Sequence, residues 1–129
     1  MPRVANKAMF TEPFGGFGAD DATHARLIRA AKAAASAEQA WLNLEAAHVM
    51  GQLHLKLHLQ THGQMLKLAR RTRDWPELAG QVLRLALLPL GHMSGHLPLG
   101  NPGRATVSAF DPLPVRPELV ELTSRACGR

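Results

Sequence analysis

The sequence predicts an all-α fold: about four helices in antiparallel hairpins, as a small bundle or a tetratricopeptide-like pair set, with a Pro/Gly-rich extended C-terminal tail packed on the helices. Three observations lead there. Residues 20–88 are rich in Ala, Leu and other strong helix formers, with apolar positions recurring at helical spacing. Cap residues divide that stretch into pieces of ordinary helix length. Six of the nine prolines lie at 89 or beyond, which argues against regular helix there.

The elements follow in order. Residues 1–19, "MPRVANKAMFTEPFGGFGA", lack periodicity and read as an N-terminal arm. Asp20 and Asp21 are good N-caps for "ATHARLIRAAKAAA", which predicts a first helix over about 21–35. Ser36 and Gln39 form a capping-box pattern that reopens the helix or starts a new one, helical to about Met50. Gly51–Gln52 allows a turn. A third helix is expected from about Leu53 to Thr72. Asp74 then caps a fourth, with Pro76 in its first turn, where a missing N–H costs little; it is expected to end before Pro89. Beyond it, "GNPG" signals a turn, and "ATVSAF" has no second strand to pair with. The tail should be anchored by Leu97, Leu99, Val107, Phe110 and Leu113, with a short helix at about Pro117–Arg125. The whole, residues 1–129, reads as one domain: arm 1–19, helical core 20–88, tail 89–129.

Composition narrows the function classes. The chain has 129 residues, no tyrosine and six aromatic residues among Phe and Trp, so its core must be aliphatic. No apolar run reaches the length of a membrane span or a signal peptide; a cytoplasmic protein with no membrane contact is expected. The one cysteine, Cys127, allows no disulfide within a chain. A net charge of +5 is a weak pull towards anions. Lys67, Arg70, Arg71 and Arg73 are read as cations closing the third helix, which ranks nucleic-acid binding third and last. Neither a phosphate loop nor a nucleophile elbow occurs.

The chemistry lies in the histidines. His54, His58 and His62 recur every fourth residue and so share one side of the third helix. Lys56, Gln60, Gln64, Lys67 and Arg71 mark the wet face. Leu55, Leu59, Leu66, Ala69 and Met65 mark the dry one, and the three histidines fall with the dry group. His48 shares a stripe with Trp41 and Leu44 on the second helix. A short turn between the two helices brings Glu45 and His48 near the early turns of the third. A buried imidazole nitrogen left unpaired costs about 1–3 kcal/mol, so a metal that satisfies several at once is attractive. The expected ligands are Glu45, His48, His58 and His62, with His54 in reserve. Nitrogen and carboxylate donors suit a transition metal such as iron, zinc or copper; haem on a core histidine is the alternative cofactor. A second Glu-x-x-His is missing, which counts against a paired-iron centre. His24 is read as a surface residue. His92 and His96 are read as loop residues that cap the site or bind metal at the surface.

"LEAAHVMGQ", "HLQTH", "GQVLRL" and "LPLGNPGRATVSAF" together resemble a small bacterial family known as domain of unknown function 3703, over about residues 25–120. Glu45, His48, Gly51, Gln52, His58, His62, Gly80, Gln81, Gly100, Asn101, Gly103, Val107, Ser108, Pro112 and Pro114 carry the resemblance. Ala46 stands where the family usually has Arg, Gly63 where it usually has an aromatic residue, and His54 falls outside the pattern. The resemblance implies a compact bacterial cytoplasmic protein and brings no activity with it.

The reading is therefore a small metal- or haem-binding protein with a His/Glu site between helices two and three, serving metal handling or, with an open coordination position, metal-dependent catalysis. The alternative is a helical adaptor whose histidines serve only a buried hydrogen-bond network. A homodimer sharing the site is compatible with either.

Overall fold

A computed structural model describes residues 21–97, 101–111 and 113–128. Among these the chain is helical without a strand, in five helices: α1 (Asp21–Ala33), α2 (Ala37–Gly51), α3 (Leu55–Arg71), α4 (Trp75–Ser94) and α5 (Pro117–Ala126). The arm at 1–19, Asp20, Leu99, Gly100 and Pro112 lie outside the described residues.

The caps act as their chemistry requires. Ser36 Oγ accepts from the Gln39 N–H at 3.2 Å, and Asp74 Oδ1 accepts from the Glu77 N–H at 3.1 Å, each satisfying an orphan donor of a first turn. The fourth helix departs from expectation. It runs through Pro89 to Ser94 and stops at Gly95, which takes the left-handed conformation (φ 72°). Proline in a helix interior removes one backbone bond and costs about 3 kcal/mol. The added turn carries His92 to the third helix, so His92 is a helical residue rather than a loop one.

α2 is buried almost all round from Leu44 to Gly51, which marks it as the central helix. α1, α3 and α5 pack on it, and α4 packs on α3. The small side chains of Ala40, Ala46 and Ala47, each nearly inaccessible, let neighbouring backbones come close. Leu27, Ile28, Leu44, Leu68 and Leu119 complete an aliphatic core. On α3 the buried stripe is Leu57, His58, Thr61, His62, Met65, Leu68 and Ala69; Leu55 and Leu59 are exposed, on the solvent side of the histidines rather than beside them. No helix among the described residues is long and apolar enough to cross a membrane.

Residues 101–111 are fastened by polar groups; of the expected apolar anchors, Leu97 and Val107 are half-buried. Phe110 is 73% exposed and Leu113 38%. Instead Asn101 Nδ2 donates to the carbonyls of Ser108 and Asp111 at 2.7 and 2.9 Å. The Arg84 guanidinium donates to the carbonyls of Arg104 and Val107 at 2.8 and 2.6 Å, and the Ala105 N–H donates to the Glu77 carboxylate. Buried charged and amide groups with several partners hold a loop in one geometry where apolar contact would let it slide.

Candidate metal centre

Two helices and a loop build the site. α2 supplies His48 near its end, and α3 supplies His58 and His62 one turn apart. All three are buried, at 2–4% exposure. His48 Nε2 lies 2.9 Å from His58 Nε2 and 3.0 Å from His62 Nε2. One nitrogen from each ring falls within 4.8 Å of the other two. Metal–nitrogen bonds of 2.0–2.1 Å at tetrahedral angles put ligand nitrogens about 3.4 Å apart, a spacing between the two short pairs and the 4.8 Å that bounds all three.

The loop closes the site because residue 103 is a glycine. Gly103 has φ +85°, and a Cβ there would fall 2.7 Å from His48 Cδ2 and 2.8 Å from Nε2. No side chain fits between that backbone and the ring.

A chain of hydrogen bonds decides where the His62 proton sits. Gln81 Nε2 donates to Glu77 Oε1 at 3.0 Å and to the Gly103 carbonyl at 2.9 Å. Both partners are acceptors, so the Gln81 amide group is oriented, and its Oε1 faces His62 Nδ1 at 2.6 Å. Nδ1 must then carry the hydrogen, and neutral His62 presents a lone pair at Nε2. Glu77 is fixed in turn by Arg104 Nε at 3.0 Å. His58 has its other nitrogen, Nδ1, 2.9 Å from His92 Nε2. Nδ1 of His48 is buried with no hydrogen-bond partner among the described residues.

Electrostatics keeps the rings neutral. Burial, then the neighbouring His58 and His62, push His48 well below the usual imidazole range, and the Asn101 backbone nearby opposes them without completing a bond. Burial, then His62 and His92, push His58 down to about 2. Burial also drives His62 down to about 4, against the opposing pull of its bond to Gln81, with Arg84 lowering and Glu77 raising it further. Three uncharged imidazoles are what a cation needs, since no proton has to leave first.

The other predicted residues are placed elsewhere. Glu45 is buried, but its carboxylate binds Arg104 Nη1 at 3.2 Å and Arg116 Nη2, with Arg104 stacked 3.8 Å over the Trp41 ring. It is not among the converging donor atoms. His54 is exposed at the N-cap of α3, close enough to His92 to lower it, after burial has done so. His24 is 1% exposed rather than on the surface. Its Nε2 meets Thr61 Oγ1 at 2.8 Å, and Thr61 spends its own hydrogen on the Leu57 carbonyl, so His24 donates. His96 is exposed. Sequence reasoning missed the parts played by Gln81, Glu77, Asn101 and Arg84. A polar residue at helical spacing within an apolar segment, such as Gln81, was the available signal.

Above the triad lies a cavity of about 280 Å³. His48, His58 and His62 form one end of it, and Leu87, Leu88, Leu97 and Phe110 contribute apolar walls.

Compared with known proteins, the chain matches one family, described as "Protein of unknown function (DUF3703)", over residues 20–123. No curated protein and no solved structure matches it.

Proposed function

Because the chain belongs to that family, whose description assigns no activity, its function has to be argued from the site, and we propose that it binds a transition-metal ion through His48, His58 and His62. One observation carries this reading. His48 Nε2 faces two ring nitrogens at 2.9 and 3.0 Å, yet an imidazole nitrogen has either one hydrogen or one lone pair to offer. His62 Nε2 is an acceptor by the Gln81 argument, so a single His48 hydrogen would have to serve both neighbours. One cation at the centre serves all three nitrogens at once. Gln81 then acts as the partner that orients a ligating histidine, as such sites commonly require.

The donor set suits zinc, copper(II), nickel, cobalt or iron(II). Three nitrogens converging on one point fit a bare ion better than haem, whose iron takes one or two axial side chains. Glu45 and His54 are not part of the proposed ligand set. His48, His58 and His62 would hold the ion with three donors, and a zinc ion held so would supply Lewis acidity to a further ligand.

A second reading rests on the same distances taken as they stand. Lengths of 2.6–3.0 Å are ordinary hydrogen bonds, and His48, His58, His62, His92 and Gln81 then form a buried polar network that merely holds α2, α3 and α4 in register. Under it the surface carries the function, and α4 leaves Val82, Leu83, Leu90 and Met93 exposed for a protein partner.

Untagged protein, stripped with chelator and titrated with zinc, cobalt, nickel and copper, separates the two. Binding of one ion per chain, with a rise in Tm that His62→Ala abolishes and His54→Ala preserves, supports the metal site. No saturable uptake of any of the four leaves the network.

A further inference from the structure

The cavity over the triad has a composition that selects its occupant. Its volume of about 280 Å³ is at the small end for small-molecule sites, roughly 300–1,000 Å³. Away from the triad, its walls are leucine, alanine and phenylalanine carbon interrupted by Ser94, His96 and Asn101. The cationic side chain facing it is Arg84, whose donors reach the carbonyls of Gly80, Arg104 and Val107; no carboxylate is paired with it among the described residues. Glu77, the nearby anion, is itself paired with Arg104 at 3.0 Å. A divalent ion on three neutral imidazoles would add charge with no ligand carboxylate to offset it. The bottom of an apolar cavity would then carry uncompensated positive charge, which is costly in a medium of low polarity.

Resting on the metal reading above, we propose that this cavity takes a small monoanionic molecule with an aliphatic body, a short-chain carboxylate in type. Its head would occupy the open metal position, and its chain would lie against Leu87, Leu88 and Leu97. A cationic amine of the same length meets the ion's charge and Arg84 and is excluded. A carboxylate without a chain gains the charge contact and forgoes the apolar burial.

Cobalt(II)-loaded untagged protein reports on this, because the visible spectrum of the ion changes when its ligands change. Hexanoate should shift the spectrum at a concentration at least tenfold lower than acetate, and hexylamine should leave it unchanged. Ala109→Trp, which fills the cavity from the loop, should weaken hexanoate at least tenfold; the cobalt spectrum of that variant before addition shows whether its site is intact, and Ala109→Leu is read in its place if it is not. Hexanoate acting no better than acetate, hexylamine acting as well as hexanoate, or a filled cavity that binds hexanoate as before would each overturn the proposal while leaving the metal site standing. Failure to take up cobalt at all overturns both.

Discussion

The two ends of α2 are buried for different reasons. Ala40 and Leu44 belong to an apolar cluster with Leu27, Ile28, Ala31 and Leu68. Around His48 the neighbours are His58, His62 and Gln81, with Asn101, Arg84 and Glu77 buried close by. The first environment needs only the right volume and tolerates exchange of one aliphatic group for another. The second is specified atom by atom: the Gln81 amide has one allowed orientation, His62 one tautomer, and residue 103 one side chain. Burying polar groups is unfavourable unless each is matched. A molecule that needed only stability would fill the second region with leucine as it does the first. The polar end is where the metal reading and the network reading part.

The sharpest way to break this contrast is to cut each end separately. Leu27→Ala removes a side chain that is 2% exposed and should destabilise by about 2–5 kcal/mol, while the variant that remains folded keeps its metal affinity within about threefold. His62→Ala should do the reverse, with a loss of metal affinity beyond 100-fold and a smaller effect on urea unfolding of the metal-free protein. Equal effects of both variants on both measurements would mean that the two ends are one undivided core.

A pH series sharpens it next. His58 and His62 titrate at about 2 and about 4 when folded against about 6.5 when unfolded, so between those values the unfolded chain binds more protons. Stability of the metal-free protein should therefore be fully present above about pH 6.5 and fall as pH drops towards 4, by a few kcal/mol. His48 and His24 are lowered in the same direction, first by burial, and add to the slope. The metal-loaded protein should show a steeper fall, because protons then also compete with the ion. Metal-free protein whose stability is flat from pH 7 to 5 would mean that these rings are hydrated rather than dry.

Gln81→Leu tests the middle of the polar chain. It removes the acceptor for the His62 Nδ1 hydrogen and the donor to Gly103, and keeps the helix. A loss of 10–100-fold in metal affinity is expected, read by competition with a chromophoric chelator. An unchanged affinity would show that His62 needs no partner to hold its tautomer.

How much of this was legible in the chain differs between the same two ends. The helices were, up to Pro89, because Ser36 and Asp74 cap through residues three positions away and the apolar period runs within one segment; the end of α4 beyond that proline was not. His58 and His62 were, because i, i+4 spacing alone puts them on one face; His48 followed from the short turn after α2. The partners of Glu45 were not legible, because Arg104 and Arg116 lie 59 and 71 residues on, beyond anything periodicity reports. His24 seemed a surface residue because its burial depends on Gly51, where a Cβ would come within 3.1 Å of the His24 ring. The tail misled for a related reason: its Leu and Phe residues suggested apolar anchors, whereas its fastening comes from Asn101 and from the side chains of Arg84 and Glu77 on another element. Local pattern shows which face is dry, and only the fold shows which polar group answers which.

The smallest effect is the most pointed, since it sets two glycines against each other. Gly103 lies at φ +85° against the His48 ring, whereas a Cβ at Gly63, in the interior of α3 next to His62, would meet nothing within 4 Å. Gly63→Ala should therefore stabilise the protein by about 0.5–1 kcal/mol, the ordinary gain of Ala over Gly within a helix, and leave metal affinity unchanged. Gly103→Ala should destabilise it, because the new methyl must displace the ring or the loop and the left-handed backbone resists any Cβ. Both follow from urea midpoints measured side by side. A Gly63→Ala variant that instead weakened the metal would place something in the open space beside His62, and the boundary between the dry end and the polar end would have to be moved there.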